Sequence, residues 1–451
     1  MTGRYVLVAL ARPRAEWLDR VVKLANSGAV AADVHKSVGI VDLLAQLSPG
    51  RRVSAVLLDG GAHGVDRDLI YRLNSSGVAV LVIADPTVPH DWSALGADAV
   101  IRRDFAAHEL LDTLVRSARL VHQAEFESFT PQALGPTEPV PWNGALIAVI
   151  GPGGSGVSTV AIAAAQALGR GSLAGANGPA HRSGEQARRR SGEHASALID
   201  LRLCAEQAML HDADPSSPGL LELIDACRLG NPDPDVVRAL FTAIPSRSYD
   251  LLPGLRRRRL WTQLRPASSQ QAITAILRNY DTVVADLDAD VEGEPENGSI
   301  DVEERHQLTR VALQHAAVVL AVGHSSMKGM HSLARQLRDV VDFGVPPDTI
   351  QPVFNHAATG SRARAGYAAA LAELTDGLGI TASPVFIPTR DIDDRLRALV
   401  DFPSAVVDPI GGAISAHLRR GRPVAGSSRQ SEHGAPTRVE RGFLGRWKAA
   451  S

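Results

Sequence analysis

The sequence predicts an α/β protein of two domains, each built on a mostly parallel β-sheet, and three observations predict it. Short apolar runs alternate with amphipathic stretches from residue 4 to about 122, and again from about 144 to 419. Between the two lies a break, residues 124–143, with four prolines and little periodicity. A glycine-rich turn at 151–156 joins one apolar run directly to an alanine-rich stretch. Strands alternating with helices bring parallel strands together with helices on both faces. At 451 residues the chain has room for more than one such unit.

In the first unit, residues 1–123, the runs 5–10, 53–59, 78–84 and 99–101 are the expected strands, and 16–25, 66–73 and 107–121 the expected helices. Residues 124–143 are expected to be an interdomain linker. The second unit, residues 144–419, has expected strands at 146–150, 197–201, 250–252, 282–286, 318–322, 351–355 and 383–387. Two segments interrupt it. Residues 170–196 are rich in Gly, Ser, Arg and Ala without apolar periodicity, and read as a flexible surface insertion; the acidic residues 289–304 read as a loop. Residues 420–451 form a low-complexity tail, expected to be disordered, with a basic and amphipathic end.

Composition narrows the function classes. With 45% hydrophobic and 21% charged residues the chain can bury large cores, and with only 4% aromatics those cores must be built from Val, Leu, Ile and Ala. A net charge of -2 speaks against a uniformly basic nucleic-acid coat. Cys204 and Cys227 are the only cysteines, and neither lies in a CxxC or Cys/His cluster, so nothing in the sequence supports a disulfide framework or a zinc site. The N-terminal apolar run is too short for a signal peptide, and no stretch approaches the ~20 apolar residues of a membrane span. The chain is therefore expected to be cytoplasmic. The 15 histidines are scattered without HExxH spacing.

The most informative stretch is ALIAVIGPGGSGVSTVAIAAAQAL, which begins at Ala145. A buried strand enters a glycine-rich turn and leaves through a helix starting near Ser158, the setting of a phosphate loop. Gly151, Gly153, Gly154 and Gly156 let the backbone bend so that successive N–H groups face a phosphate. The helix N-terminus adds a dipole favourable to an anion, and Ser158 and Thr159 offer hydroxyls to Mg2+. The pattern GxxxxGK[ST] is met at Gly151, Gly156 and Ser158, but Val157 holds the lysine position. In the variant loop KGGxGK[ST] a second lysine precedes the glycine pair, and Pro152 stands there. Both cations are missing, which argues against hydrolysis. The competing reading of the motif is a glycine-rich turn without a ligand.

The first unit has a strand ending in Asp59 (VSAVLLDGG) and resembles a response-regulator receiver, in which that aspartate would accept phosphate. Ala11-Arg12-Pro13-Arg14 stand where receivers carry acidic metal ligands, and Arg102–Arg103 replace the usual lysine. A pseudo-receiver that docks or localises is the expectation.

The phosphate loop, the ALIDLRL and YDTVVADLDAD strands and the PVFNH and FIPTRD segments follow one another in the order seen in the MinD/ParA/CpaE group of deviant Walker A ATPases, which the chain resembles. With its receiver-like first unit the chain most closely resembles the actinobacterial CpaE-like, or TadZ-like, members, some of which are septum site-determining proteins. The resemblance implies a flavodoxin-like first domain and a P-loop NTPase domain. It matches Gly151, Gly153, Gly154, Ser155, Gly156, Val157, Ser158 and Thr159 to the nucleotide-binding loop. Asp200 matches the first acidic residue of the switch strand, and the second is Arg202 here. Asp286 matches the Walker B aspartate, so that Ser158 and Asp286 would be the Mg2+ residues. Asn355 and Pro388 match adenine-side positions; either residue type is also common in turns. The implied ligands are ATP and Mg2+, held weakly or not at all. The implied assembly is a homodimer acting with cell-division or pilus and secretion machinery, at the inner face of the plasma membrane at septum or pole. The competing class is a slow ATPase cycling between monomer and dimer.

Two segments are basic. The run Arg256–Arg259 beside Trp261 would touch nucleic-acid phosphates, but a solvated loop is the better reading, and DNA is not an expected partner. In RVERGFLGRWKAAS, Phe443, Leu444 and Trp447 share a helical face with Val439, while Arg441, Arg446 and Lys448 populate the other. That pattern suits an anionic membrane surface, against which stand Glu440, Gly442 and Gly445.

Overall fold

The computed structural model describes residues 4–47, 53–120, 144–171, 194–214, 216–293 and 300–420. The first sheet consists of β1 (Tyr5–Leu10), β2 (Ala32–Ser37), β3 (Ala55–Asp59), β4 (Ala79–Ala84) and β5 (Ala99–Arg102). They pair in the order β2-β1-β3-β4-β5, all parallel, a doubly wound order with its switch point between β1 and β3. Helices α1 (Glu16–Asn26), α2 (Ile40–Gln46), α3 (Arg67–Ser75) and α4 (Ala107–Ser117) cover it. Strand alternation sorts the side chains: Leu7 and Ala9 join Trp17, Phe105 and Leu110, whereas Val8 and Leu10 join Leu69, Ile70 and Trp92. All of β3 is buried, as a central parallel strand covered on both faces must be.

The second sheet has eight strands: β6 (Ala145–Ile150), β7 (Ser196–Asp200), β8 (Thr242–Ile244), β9 (Tyr249–Leu252), β10 (Thr282–Asp286), β11 (Ala316–His324), β12 (Ile350–Ala357) and β13 (Val385–Pro388). Their order is β13-β12-β11-β6-β10-β7-β9-β8, and only the edge pair β8–β9 runs antiparallel. The helices are α5 (Val157–Gly169), α6 (Gln207–Leu210), α7 (Leu220–Leu229), α8 (Pro234–Ala239) and α9 (Pro266–Asn279). They continue with α10 (Ile300–Arg305), α11 (Gln307–His315), α12 (Met327–Asp342), α13 (Ser361–Leu374), α14 (Asp393–Arg397) and α15 (Ser404–Arg420). Leu146, Ala148 and Ile150 of β6 face the layer formed with α7, α9, α11 and α12. Ile147 and Val149 face the layer of α5 and α15. The alanines of α5 are buried throughout, so the helix lies close against the sheet and its N-terminus is fixed at the carboxyl ends of the central strands.

The two units touch through α3. Asp68 accepts hydrogen bonds from the N–H groups of Ala267 (3.2 Å) and Ser268 (3.3 Å) and from the Ser268 hydroxyl. Those groups form the first turn of α9, which has no cap of its own, so a carboxylate of the first unit caps a helix of the second. Burial raises the Asp68 carboxyl above the ordinary range, and the Ser268 hydrogen bond partly offsets it. Arg67 reaches the carbonyl of Cys227 at 2.8 Å and the Asn231 side chain at 2.6 Å.

The expected strands are found within a residue or two of their places, and two further strands appear. β2 is a polar edge strand whose middle residues are not buried, so it lacks the apolar run that marks a strand; β8 is a three-residue antiparallel edge. The acidic segment 289–304 is not a loop throughout, because α10 starts at Ile300. The linker 124–143, most of the insertion 170–196, and the tail with Phe443, Leu444 and Trp447 lie outside the described residues. Among the described residues no helix is long and apolar enough to cross a membrane.

Candidate functional site

The site is assembled at the carboxyl ends of β6, β10 and β7, where open α/β sheets bind ligands. β6 ends at Ile150, and the chain turns through Gly151–Gly156 into α5. Gly154 and Gly156 take φ +78° and +88°, values that L side chains avoid. At Gly156 a Cβ would collide with the Asn355 amide, and at Gly151 with the Val322 carbonyl. Around Gly153 and Gly154 nothing lies within 4 Å of a Cβ, so that part of the loop faces open space. No side chain caps the first turn of α5. Free N–H groups, helix dipole and open glycines together fit a phosphate.

β10 and β7 pair in the register Asp286↔Asp200, which sets two buried aspartates side by side. Asp200 accepts from the N–H groups of Arg202 (3.2 Å), Glu206 (2.9 Å) and Gln207 (2.8 Å) and so folds the segment after β7 into a tight turn. That turn carries two side chains back over the loop. The Arg202 guanidinium donates to the Ser158 hydroxyl at 2.9 Å and stands 3.6 Å from both Asp288 and Glu206. The Gln207 amide donates to Asp286 Oδ2 at 2.7 Å and to the Ser158 carbonyl at 3.2 Å. Asp286 Oδ1 is buried without a hydrogen-bond partner. Burial drives both carboxyls above the ordinary range, and at Asp200 the charge of Asp286 adds to it.

The sequence-predicted residues therefore separate. The loop, Ser158, Asp200 and Asp286 come together. Asn355 reaches the loop as well, but as a brace: its amide donates to the Ser155 carbonyl at 3.0 Å, and its carbonyl oxygen accepts from the His356 N–H. Pro388 ends β13, three strands along the sheet from β6. Arg202, Gln207 and Asp288 complete the centre; only Arg202 had a sequence signal, an arginine where the resemblance expects an acid. The residues do not fit a magnesium ion as they stand. The Ser158 hydroxyl already accepts from a guanidinium, one oxygen of Asp286 is bound to an amide, and the same guanidinium pairs with Asp288 at 3.6 Å. The arginine run is exposed, with Arg256 paired to Glu222 at 2.9 Å.

A second acidic centre lies at the carboxyl ends of β1, β3 and β4. Asp59 is fully buried and accepts from Trp17 Nε1 (3.2 Å), Arg12 Nε (3.2 Å), Arg103 Nη2 (3.2 Å) and the Gly61 N–H (3.0 Å). Asp85 accepts from the same arginines at 2.6 and 2.7 Å. Two hydrogen bonds from Thr87, with Arg12 adding to them, hold Asp85 below the usual carboxylate range. Asp59 is thus clamped by two guanidinium groups and presents no free oxygen to an incoming phosphoryl group.

No family model and no curated protein matches the chain. Among solved structures it is similar to a ParA family ATPase from Chlorobium tepidum, with 17% identity over 61% of this chain and 95% of that one and a TM-score of 0.41. It is also similar to the septum site-determining protein MinD complexed with Mg-ADP from Pyrococcus horikoshii, with 13% identity over 61% and 94% and a TM-score of 0.40. The MinC:MinD complex of Aquifex aeolicus matches with 14% identity over 60% and 95% and a TM-score of 0.40.

Proposed function

We propose that this chain is a positioning or scaffold protein of the MinD/ParA type, of the CpaE-like kind, whose phosphate-loop domain no longer hydrolyses ATP efficiently. The observation that carries this reading is a loop with Val157 in the lysine position and Arg202 on the Ser158 hydroxyl. Phosphoryl transfer depends on cations that stabilise charge spreading over the transferred group, and on an oriented water. Here the loop contributes no cation, and the Arg202 guanidinium is shared among Ser158, Asp288 and Glu206. What remains is a backbone cradle suited to holding a phosphate. The first domain, with Asp59 clamped, acts in this reading as a pseudo-receiver used for docking. The resemblance suggests a homodimer working at the septum, or at a Flp/Tad-type pilus or secretion apparatus, on the inner face of the membrane.

The second reading is a slow ATPase that cycles between monomer and dimer at the membrane, and the open, uncapped loop favours it. Phosphate release from ATP, compared between the wild type and the Ser158→Ala, Asp286→Ala double variant, separates the two. Equal background rates are expected. Turnover that the double variant abolishes would overturn the scaffold reading in favour of the ATPase.

A further inference from the structure

This inference rests on reading the β6–α5 loop as a phosphate loop, and it concerns the positive charge beside it. A divalent metal at such a loop is held by the hydroxyl that opens the helix and by a strand-end aspartate, and it balances the carboxylates around it. In this chain the hydroxyl is that of Ser158 and the aspartates are Asp286 and Asp200, with Asp288 and Glu206 close by. The Arg202 side chain touches Ser158, Asp288 and Glu206, and the charges of Asp286 and Asp200 act on it. Its side chain is only 21% exposed, and it is built into place from both sides. Asp200 folds the turn that presents it, and Gln207, from the same turn, bridges Asp286 to the start of α5.

We infer that Arg202 is the resident cation of this centre: it takes the place of a divalent metal, so that the folded chain takes up neither Mg2+ nor Mn2+ there, and a phosphate in the loop is bound without a metal. A guanidinium suits the role because it stays charged at every working pH and offers several donors in a fixed plane. Its Nη1 donates to the hydroxyl a metal would use, at 2.9 Å, and its Nε lies 3.6 Å from Asp288. The partnerless Asp286 Oδ1 marks what the substitution leaves undone, since a planar group cannot reach every oxygen a spherical ion would. Among the described residues no three His, Cys, Asp or Glu side chains group as a metal site. Magnesium, however, is held by one or two carboxylates and keeps several waters. With the guanidinium gone, Asp286, Asp288 and the Ser158 hydroxyl make such a set. The bland alternative is an ion pair that only pins a turn, and removal of the arginine would then loosen the turn without creating affinity for an ion.

The test is a Mn2+ titration of the full-length protein without nucleotide, read from the electron paramagnetic resonance signal of free Mn2+. The wild type, Asp286→Asn, Arg202→Ala, Arg202→Gln and an Arg202→Ala, Asp286→Asn double variant are compared, with circular dichroism to verify folding. The wild type is expected to leave the free signal unchanged. Arg202→Ala is expected to take up a single Mn2+ at least tenfold more tightly, and to lose it again in the double variant; its melting temperature rises with Mn2+ while that of the wild type does not. Two results overturn the inference. One is wild-type uptake of Mn2+ that Asp286→Asn abolishes; the other is a folded Arg202→Ala that binds none. Arg202→Gln, close in reach to arginine and neutral, takes the place of the alanine variant if the latter does not fold. No nucleotide is present, so phosphate release from ATP can fail the scaffold reading while leaving this one intact, and Mn2+ uptake can do the reverse.

Discussion

His211 is buried between the Gln207 carbonyl at 2.7 Å and the Tyr249 hydroxyl at 2.6 Å. A carbonyl only accepts, so the neutral ring carries its proton on Nδ1 and accepts from Tyr249 at Nε2. Burial pushes its pKa down to about 4, with the Arg247 charge acting in the same direction. Above the unfolded value of about 6.5 both states are neutral. Between there and about 4 only the unfolded chain binds the proton, so stability is lost as pH falls, by at most about 3 kcal/mol. The raised Asp200 and Asp286 act oppositely, since the folded state takes up their protons first. The contribution of His211 is therefore read by difference: urea unfolding at pH 7 and pH 5 is expected to show a smaller decline for His211→Gln than for the wild type. At this scale the glycines were legible in the sequence, and Arg202 was legible as a departure but not in its contacts. A positive φ at Gly154 and Gly156 leaves few residue types to choose from, so the constraint is written into the residue itself. The role of Arg202 depends on Ser158, 44 residues earlier, and on a register between β7 and β10 that no local pattern states.

The element that places the phosphate loop is α5, and it is held at its far end by one amide. Gln166 Nε2 donates to the Phe402 carbonyl at 3.2 Å, and its Oε1 accepts from the Phe402 N–H at 2.8 Å. This pairs a helix side chain with the backbone that leads into α15. Gln166→Ala leaves both backbone groups buried without partners, which costs on the order of 1–3 kcal/mol each before any relaxation. The midpoint of urea unfolding is expected to fall with an unchanged slope; an unchanged midpoint would show that water replaces the amide. Strands such as β6 and β10 were legible because burial on both faces writes an unbroken apolar run. β2 was not, because ADVHKS lies at the sheet edge, where pairing is set by β1 and not by its own side chains. Asn355 shows the same limit in another form. Its place at a strand end was legible, but its contact with the Ser155 carbonyl spans 200 residues.

For the molecule as a whole, the joint between the two units includes Asp68, Arg67 and the Asp66–Arg228 ion pair at 3.7 Å. Asp68→Ala removes the cap of α9 and its hydrogen bonds to Ser268. A cap alone contributes about 1 kcal/mol, which is a large share of a small polar contact between domains. Small-angle scattering is expected to show a larger radius of gyration for the variant, with the far-ultraviolet circular dichroism of the wild type. An unchanged radius would mean that Arg67 and the Asp66–Arg228 pair suffice. The whole molecule also repeats one device. Arg12 and Arg103 sit on Asp59 and Asp85 in the first unit, and Arg202 sits beside Asp286 and Asp288 in the second. Charge that is synthesised with the chain cannot be stripped by a chelator or lost when magnesium runs short, and it exchanges with nothing in the surrounding solution. On the proposed reading, neither ion supply nor phosphate turnover sets how much of this protein is competent; its rates of synthesis and degradation do.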